Sequence, residues 1–229
     1  MRPRALTLTL VASFAVLNFL ADYMPFTPVI GVPGAFFRFS WIVSPLTGIL
    51  LGPALGGASC LIACGLALAL GLQPWIIGPL TPFRTAVSAV QAGLLVSGRW
   101  KLSSALLGML VAMWLALPAG REAAIVVLFH VAGLLVMLAT RTHTQSYLLS
   151  TDRNAQAVGF AIAAYCGNIS RHLFSNLLFA ALEILPPAVF ITAIPFTGVE
   201  QSLFAVVTSI VGTAAVQLGI RDRIPHRSQ

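Results

Sequence analysis

The chain has 229 residues, 58% of them hydrophobic and only 8% charged, with a net charge of +7. A soluble domain carries about 25% charged residues, so this composition excludes a soluble globular enzyme, a disordered chain and a disulfide-rich secreted domain. It leaves a helical, polytopic integral membrane protein: the apolar residues run in long stretches, the mean hydropathy is +0.94, and a helix needs about 20 apolar residues to cross the hydrocarbon.

In chain order the sequence predicts a single transmembrane domain over 1–229 with about six to eight helices. Arg2 and Arg4 precede an apolar run over 5–21, read as a first helix starting inside. The loop from Asp22 to Phe37 holds Pro25, Pro28, Gly31, Pro33 and Gly34. A short apolar segment over 39–51 contains Ser44-Pro45 and ends at Gly52-Pro53, since proline suits a helix start. A Gly/Ala-rich helix follows over 54–70. A loop with Pro74, Pro79 and Pro82 leads to a fourth helix over 83–97. Arg99 and Lys101 mark a turn before helices over 102–117 and 123–139, which Pro118-Ala119-Gly120 separates. The polar stretch 141–153 is expected to be a surface loop. A long segment over 155–185 ends at Pro186-Pro187, and a last helix over 201–220 precedes a basic tail containing Arg221, Arg223 and Arg227.

With the N-terminus inside, eight crossings place most basic residues on the cytoplasmic side: Arg2, Arg4, Arg99, Lys101, Arg141, Arg153 and the tail. Asp22, Arg38, Arg84, Arg121, Glu122, Glu183 and Glu200 fall outside. This is the positive-inside pattern, with both termini cytoplasmic in a cell-membrane protein. The positives lie between apolar runs and are not clustered with aromatics, so nucleic acid is not expected as a partner. Cys60, Cys64 and Cys166 sit inside apolar segments, which indicates neither a disulfide framework nor a zinc site.

Polar groups inside a membrane are costly and are functional candidates by default. On the 155–185 helix, Tyr165, Asn168, His172, Ser175, Asn176 and Glu183 share a sector of roughly 100°. Such a stripe faces the bundle interior or a cavity. Two readings stay open: a seam that holds helices together, or a ligand-contacting face. His130 stands alone in its segment and reads as a packing histidine. Asn168-Ile169-Ser170 matches a glycosylation sequon placed mid-helix. Arg38, within Phe36-Phe37-Arg38-Phe39, either grips an anionic group beside stacking rings or snorkels to headgroups. Asp22 and Glu183 are candidate partners for it. Trp41 and Trp75 read as belt aromatics. Gly48, Gly52 and Gly56, spaced by four, predict close helix contact, inside the bundle or against a partner.

The chain lacks a phosphate-binding GxxxxGK[ST], an HExxH and a Gly-x-Ser-x-Gly. No metal or other cofactor is expected. With no enzymatic constellation visible, the leading expectation is a binding protein and not an enzyme. A proton-coupled carrier working through Glu183, Asp22 or His172 is an alternative. An intramembrane enzyme using His172 with Tyr165 or Ser175 is a more distant one.

Arg38-Phe39-Ser40 opening a short helix, Leu50-Leu51-Gly52-Pro53 opening a Gly/Ala-rich one, and Phe83-Arg84-Thr85-Ala86-Val87 leading to Ala92-Gly93-Leu94-Leu95 form an ordered set. In that order they resemble the substrate-binding S component of energy-coupling factor (ECF) transporters. The segment from Gly167 to Asn176 looks like a helix of some archaeal-type members. The family usually has six helices, and 102–139 would be the extra pair. The resemblance implies capture of a vitamin-like or other small metabolite from the outer side, with the Asp22–Phe37 loop as lid. It implies import with a transmembrane coupling subunit and two cytoplasmic ATPases, by toppling in the bilayer. The site residues expected on this reading are Arg38 for an anionic group, Asn168, His172, Asn176 and Glu183 as polar contacts, and Phe36, Phe37 and Tyr165 for stacking.

Overall fold

The computed structural model describes residues 4–28, 34, 36–72 and 77–220. Expectations that fall on Arg2, Gly31, Pro33, Pro74, Trp75 and the tail from Arg221, and on the side chain of Arg4, lie outside the described residues.

The described chain is helical apart from one small hairpin. Helix α1 (Arg4–Tyr23) leads into strands β1 (Pro25–Pro28) and β2 (Phe36–Arg38), which pair antiparallel. Helices α2 (Ser40–Leu51) and α3 (Pro53–Ala69) follow, then a 3₁₀ turn (Gly78–Leu80) and α4 (Thr81–Val96). Next come α5 (Trp100–Ala116), the short α6 (Pro118–Glu122), a second 3₁₀ turn (Ala124–Val127) and α7 (Leu128–Thr140). The chain ends with α8 (Thr144–Leu149), the long α9 (Arg153–Ala181), α10 (Pro187–Thr192) and α11 (Ile194–Ala215), which runs into a π turn to Ile220.

Several boundaries differ from the sequence reading, for physical reasons. Helices α4, α6, α10 and α11 each begin with proline in the first turn. The missing N–H matters least there, so Pro82, Pro187 and Pro195 start helices where the sequence reading expects loop. Thus α11 begins at Ile194 and not at 201, and α10 was not foreseen. The expected helix over 123–139 is a 3₁₀ turn followed by α7. The expected loop at 22–37 carries the β1–β2 hairpin. The expected surface loop at 141–153 contains α8, which buries Thr144 and Leu148. Helix α8 docks where Gly159 of α9 leaves space: a Cβ there would stand 2.8 Å from the Leu148 nitrogen. Helix α9 stops at Ala181, because Glu183 takes a left-handed turn (φ +53°). The Ile184 N–H then closes back on the Phe179 carbonyl and the Glu183 N–H on that of Ala180, a Schellman closure.

Helix α9 is the axis of the bundle. On one flank Leu107, Trp114, Met137, Ile169 and Leu173 form a core from α5, α7 and α9. On another, Ile49, Leu50, Val96, Leu148 and Phe160 join α2, α4, α8 and α9. The glycines draw α2, α3 and α4 together: Gly48 lies directly on the Ala89 carbonyl, and a Cβ on Gly56 would sit 2.8 Å from the Gly48 Cα. Gly52, at φ +83°, makes the tight turn between α2 and α3. These small residues therefore serve packing inside the bundle.

The described bundle has an apolar core that also buries many polar side chains, and many large apolar side chains lie on its surface. Ser40, Ser44, Thr47, Ser59, Ser88, Gln91, Ser103 and Asn168 are fully buried, while Leu8, Leu66, Leu135, Val199 and Ile210 are exposed. Two helical stretches, Ala5–Tyr23 and Ile194–Leu218, are long and apolar enough to cross a membrane. Ser40–Leu51, Pro53–Ala69, Trp100–Ala116 and Ala124–Thr140 are apolar but shorter.

Candidate functional site

The polar stripe of α9 divides into two parts. In its inner part, Asn168 is fully buried and donates from Nδ2 to the Trp41 carbonyl at 2.8 Å. Its Oδ1 accepts from Ser88 Oγ at 3.1 Å. The reason lies in α2. Pro45 stands inside that helix, four residues after Trp41, and has no N–H for the Trp41 carbonyl. The amide of Asn168 supplies the missing donor. Asn168 is thus a link between α9, α2 and α4, with both ends of its amide engaged. Asn18 performs the same service on α1, donating to Thr47 Oγ1 at 2.7 Å and accepting from Ser44 Oγ at 3.0 Å.

In its C-terminal part the stripe opens into a small cleft with an open mouth. Phe37, Phe129, His172, Asn176, Thr197 and Glu200 are among its walls. His172 does not stand alone: its Nδ1 lies 3.2 Å from His130 Nε2, with the rings stacked at 5.4 Å. His130 Nδ1 lies 2.8 Å from the Val126 carbonyl, which only an N–H can satisfy. With both rings neutral, His130 Nε2 is then the acceptor and His172 Nδ1 carries the hydrogen. This leaves His172 Nε2 with a free lone pair. Asn176 Nδ2, itself a donor, lies 3.5 Å from that His172 N–H; two donors make no bond, so its amide remains available. The cleft therefore offers one imidazole acceptor, one amide and a half-buried carboxylate, Glu200, against aromatic walls.

The other expected site residues fall elsewhere. Arg38 Nη1 donates to the carbonyls of Asp22 and Tyr23, at 2.8 and 3.4 Å. It caps the C-terminal end of α1, where carbonyls lack partners and the helix dipole is negative. Its partner is the Asp22 backbone and not, as expected, a carboxylate. Phe36 is exposed on β2, while Phe37 is buried in an aromatic cluster with Trp41 and Phe204. Trp41, expected at the interface belt, is a core residue at 2% exposure. Tyr165 donates its hydroxyl to the Phe129 carbonyl at 3.4 Å, and Ser175 bonds back to the Arg171 carbonyl at 2.8 Å. Glu183 is exposed beyond the end of α9. Of the eight residues expected at the site, the cleft brings together Phe37, His172 and Asn176.

Sequence reasoning missed Glu200 as a cleft residue because it read the segment before 201 as loop. It missed the pairing of His130 with His172 because the two are 42 positions apart. It also missed Arg171, which is buried at 2% exposure with its guanidinium 4.2 Å from the Trp41 ring centre. Among the described residues, no group of three or more His, Cys, Asp or Glu is placed to hold a metal ion.

No family model matches the sequence. No solved structure matches it either. The chain is similar to an uncharacterised protein of Methanocaldococcus jannaschii, at 23% identity over 176 residues, covering 77% of this chain and 59% of the relative. The chain thus spans about three-fifths of that relative's length.

Proposed function

We propose that this is a multi-pass membrane protein that captures a small, partly polar molecule in the cleft of His172, Asn176 and Glu200. The observation that carries the reading is the state of those groups: an imidazole acceptor and an amide with unused hydrogen-bonding capacity, facing space and lined by rings. In a bundle where Asn18 and Asn168 are fully engaged, that contrast marks a binding surface. Multi-pass insertion is supported by buried hydroxyls and amides beneath an exposed apolar surface on α1, α3, α7 and α11. Backbone polar groups that α-helices satisfy internally fit a bilayer.

On the resemblance of the Arg38–Leu95 motifs to ECF S components, the protein is the capture subunit of an importer. A transmembrane coupling subunit and two cytoplasmic ATPases would complete the machine. A second reading has one observation in its favour: Glu200 shares the cleft with His172, so two proton-carrying groups lie together, as a proton-coupled carrier needs.

Heating the detergent-purified protein and identifying released small molecules by mass spectrometry tests capture. A stoichiometric non-lipid metabolite is expected from the wild type and not from His172→Ala/Asn176→Ala. Release of lipid alone would sink the proposal. Accumulation of that metabolite by the protein alone in liposomes with a pH gradient would favour the carrier.

A further inference from the structure

A second polar centre lies apart from the cleft, across the Trp41 and Phe37 rings, which meet edge to face at 5.1 Å. Arg171 reaches it from the middle of α9. One guanidinium nitrogen, Nη2, donates to Ser40 Oγ at 3.1 Å, and Trp41 covers the face of the group. Nε and Nη1 of Arg171 are buried without a hydrogen-bond partner. Arg84, in the first turn of α4, likewise keeps a buried, unpartnered Nε. Asp22, at 2% exposure near the end of α1, keeps Oδ2 unpartnered. Helices α4 and α9 pass antiparallel, Val96 packing with Phe160 and Ser88 bonding Asn168, which brings Arg84 and Arg171 to one level. Arg38 holds the Asp22 carbonyl at 2.8 Å. The charges of Arg84, Arg171 and Asp22 act on one another, and that of Arg38 on Arg84. Among the described residues no ion pair joins any of them.

This arrangement is not how a structural charge is accommodated. A buried guanidinium kept for packing is paired and has its N–H groups satisfied, because an uncompensated buried charge is strongly unfavourable. Here two cations, Arg171 buried and Arg84 half-buried, face one buried anion, and Arg38 stands within reach of Arg84, so the centre carries an excess of positive charge. What is missing is negative charge with several acceptor oxygens. Guanidinium forks match carboxylates and phosphates in shape as well as charge. The spare Asp22 oxygen adds an acceptor for a hydroxyl or ammonium on the same molecule.

We propose that Arg84 and Arg171, with Asp22 beside them, form a binding site for one oxyanionic group of carboxylate or phosphate type. The site is distinct from the His172 cleft, so its failure and that of the cleft are separable. The occupant is either a free small anion or the headgroup of an anionic lipid.

The test uses the full-length protein in detergent, freed of bound lipid. Thermal unfolding is followed while potassium phosphate, sulfate or acetate is raised at constant ionic strength against chloride. At least one oxyanion is expected to raise the midpoint saturably. Arg171→Gln and Arg84→Gln each weaken the apparent affinity about tenfold or more, the effect of losing a charged hydrogen-bond donor. His172→Ala leaves it unchanged. Asp22→Asn, which keeps a polar side chain and removes the opposing charge, tightens it. No saturable response to any of the three anions, a response that survives both arginine changes, or weakening by Asp22→Asn would each overturn the site. If an arginine variant does not fold, the sign of the Asp22→Asn effect decides. Adding back phosphatidylglycerol separates the two sources. Loss of the response identifies a lipid headgroup as occupant, and persistence identifies a free anion.

Discussion

Asn168 and His172 stand one turn apart on the same face of α9, yet they belong to different kinds of place. Asn168 faces α2, where Pro45 has left a carbonyl without its helical donor, and both ends of its amide are engaged at 2.8 and 3.1 Å. His172 faces the cleft. Its contacts to His130 and Asn176 are longer, at 3.2 and 3.5 Å, and leave acceptor capacity unused. A helical wheel gives the two residues one identity. The backbone opposite each of them gives two. The difference shows that a polar stripe inside a bundle has to be read against the defects of the helix it meets.

The strongest way to break this contrast is to move α2. Gly48 lies on the Ala89 carbonyl, so Gly48→Ala pushes α2 away from α4 and carries Trp41 away from Asn168. We expect a loss of about 3 kcal/mol, at the upper end for overpacking, read as a fall in the unfolding midpoint in detergent. A variant as stable as the wild type would show that the close approach of α2 and α4 is not needed.

The next largest effect tests the repair itself. Interhelical hydrogen bonds in membrane proteins average about 0.6 kcal/mol. Asn168→Ala removes two and strands a buried carbonyl, so about 2 kcal/mol is expected. Pro45→Ala restores the N–H four residues after Trp41 and lets the helix bond its own carbonyl. The cost of losing Asn168 then falls, with a coupling of about 1 kcal/mol in the double-mutant cycle. Additive costs would mean that Asn168 and Pro45 are neighbours without being partners.

Much of the fold was legible because hydropathy and punctuation agree in this chain. The first five helices and α9 follow from apolar runs and from Gly52-Pro53, Pro118 and Pro186 as stops and starts. The polar stripe of α9 was legible from its spacing. Its division was not, though one signal was available: Pro45, inside the 39–51 segment, announces an unpaired carbonyl at Trp41. The pairing of His130 with His172 needed the contact between α7 and α9, which no local pattern encodes. Arg38 drew the expectation because aromatics flank it in sequence, whereas Arg171 meets its aromatic partner, Trp41, only through the fold. The structure shows Arg38 serving helix carbonyls and Arg171 buried with free donors.

Glu183 sharpens the outer boundary of the stripe. It lies in line with the other polar residues of α9 but has left-handed backbone (φ +53°) and an exposed side chain. Its role is to turn the chain. Glu183→Gly removes the strain of that conformation and is expected to stabilise by about 1 kcal/mol, since only glycine adopts it freely. Ligand release by the protein should be unaltered. A loss of ligand would return Glu183 to the site.

The smallest change in stability is expected where the largest change in binding is. His172→Ala/Asn176→Ala truncates side chains that line the cleft and make no hydrogen bond to each other. Among the described residues, the protein group deprived of a hydrogen bond is His130 Nε2, which the vacated space lets water reach. A cost of under about 1 kcal/mol follows, less than half that of Asn168→Ala one turn away. If the double variant unfolds as readily as Asn168→Ala, the outer part of the stripe is a seam like the inner part, and the cleft is a gap between packed helices. If it folds like the wild type and no longer retains its small molecule, neighbouring turns of one helix face hold separate roles in assembly and in recognition.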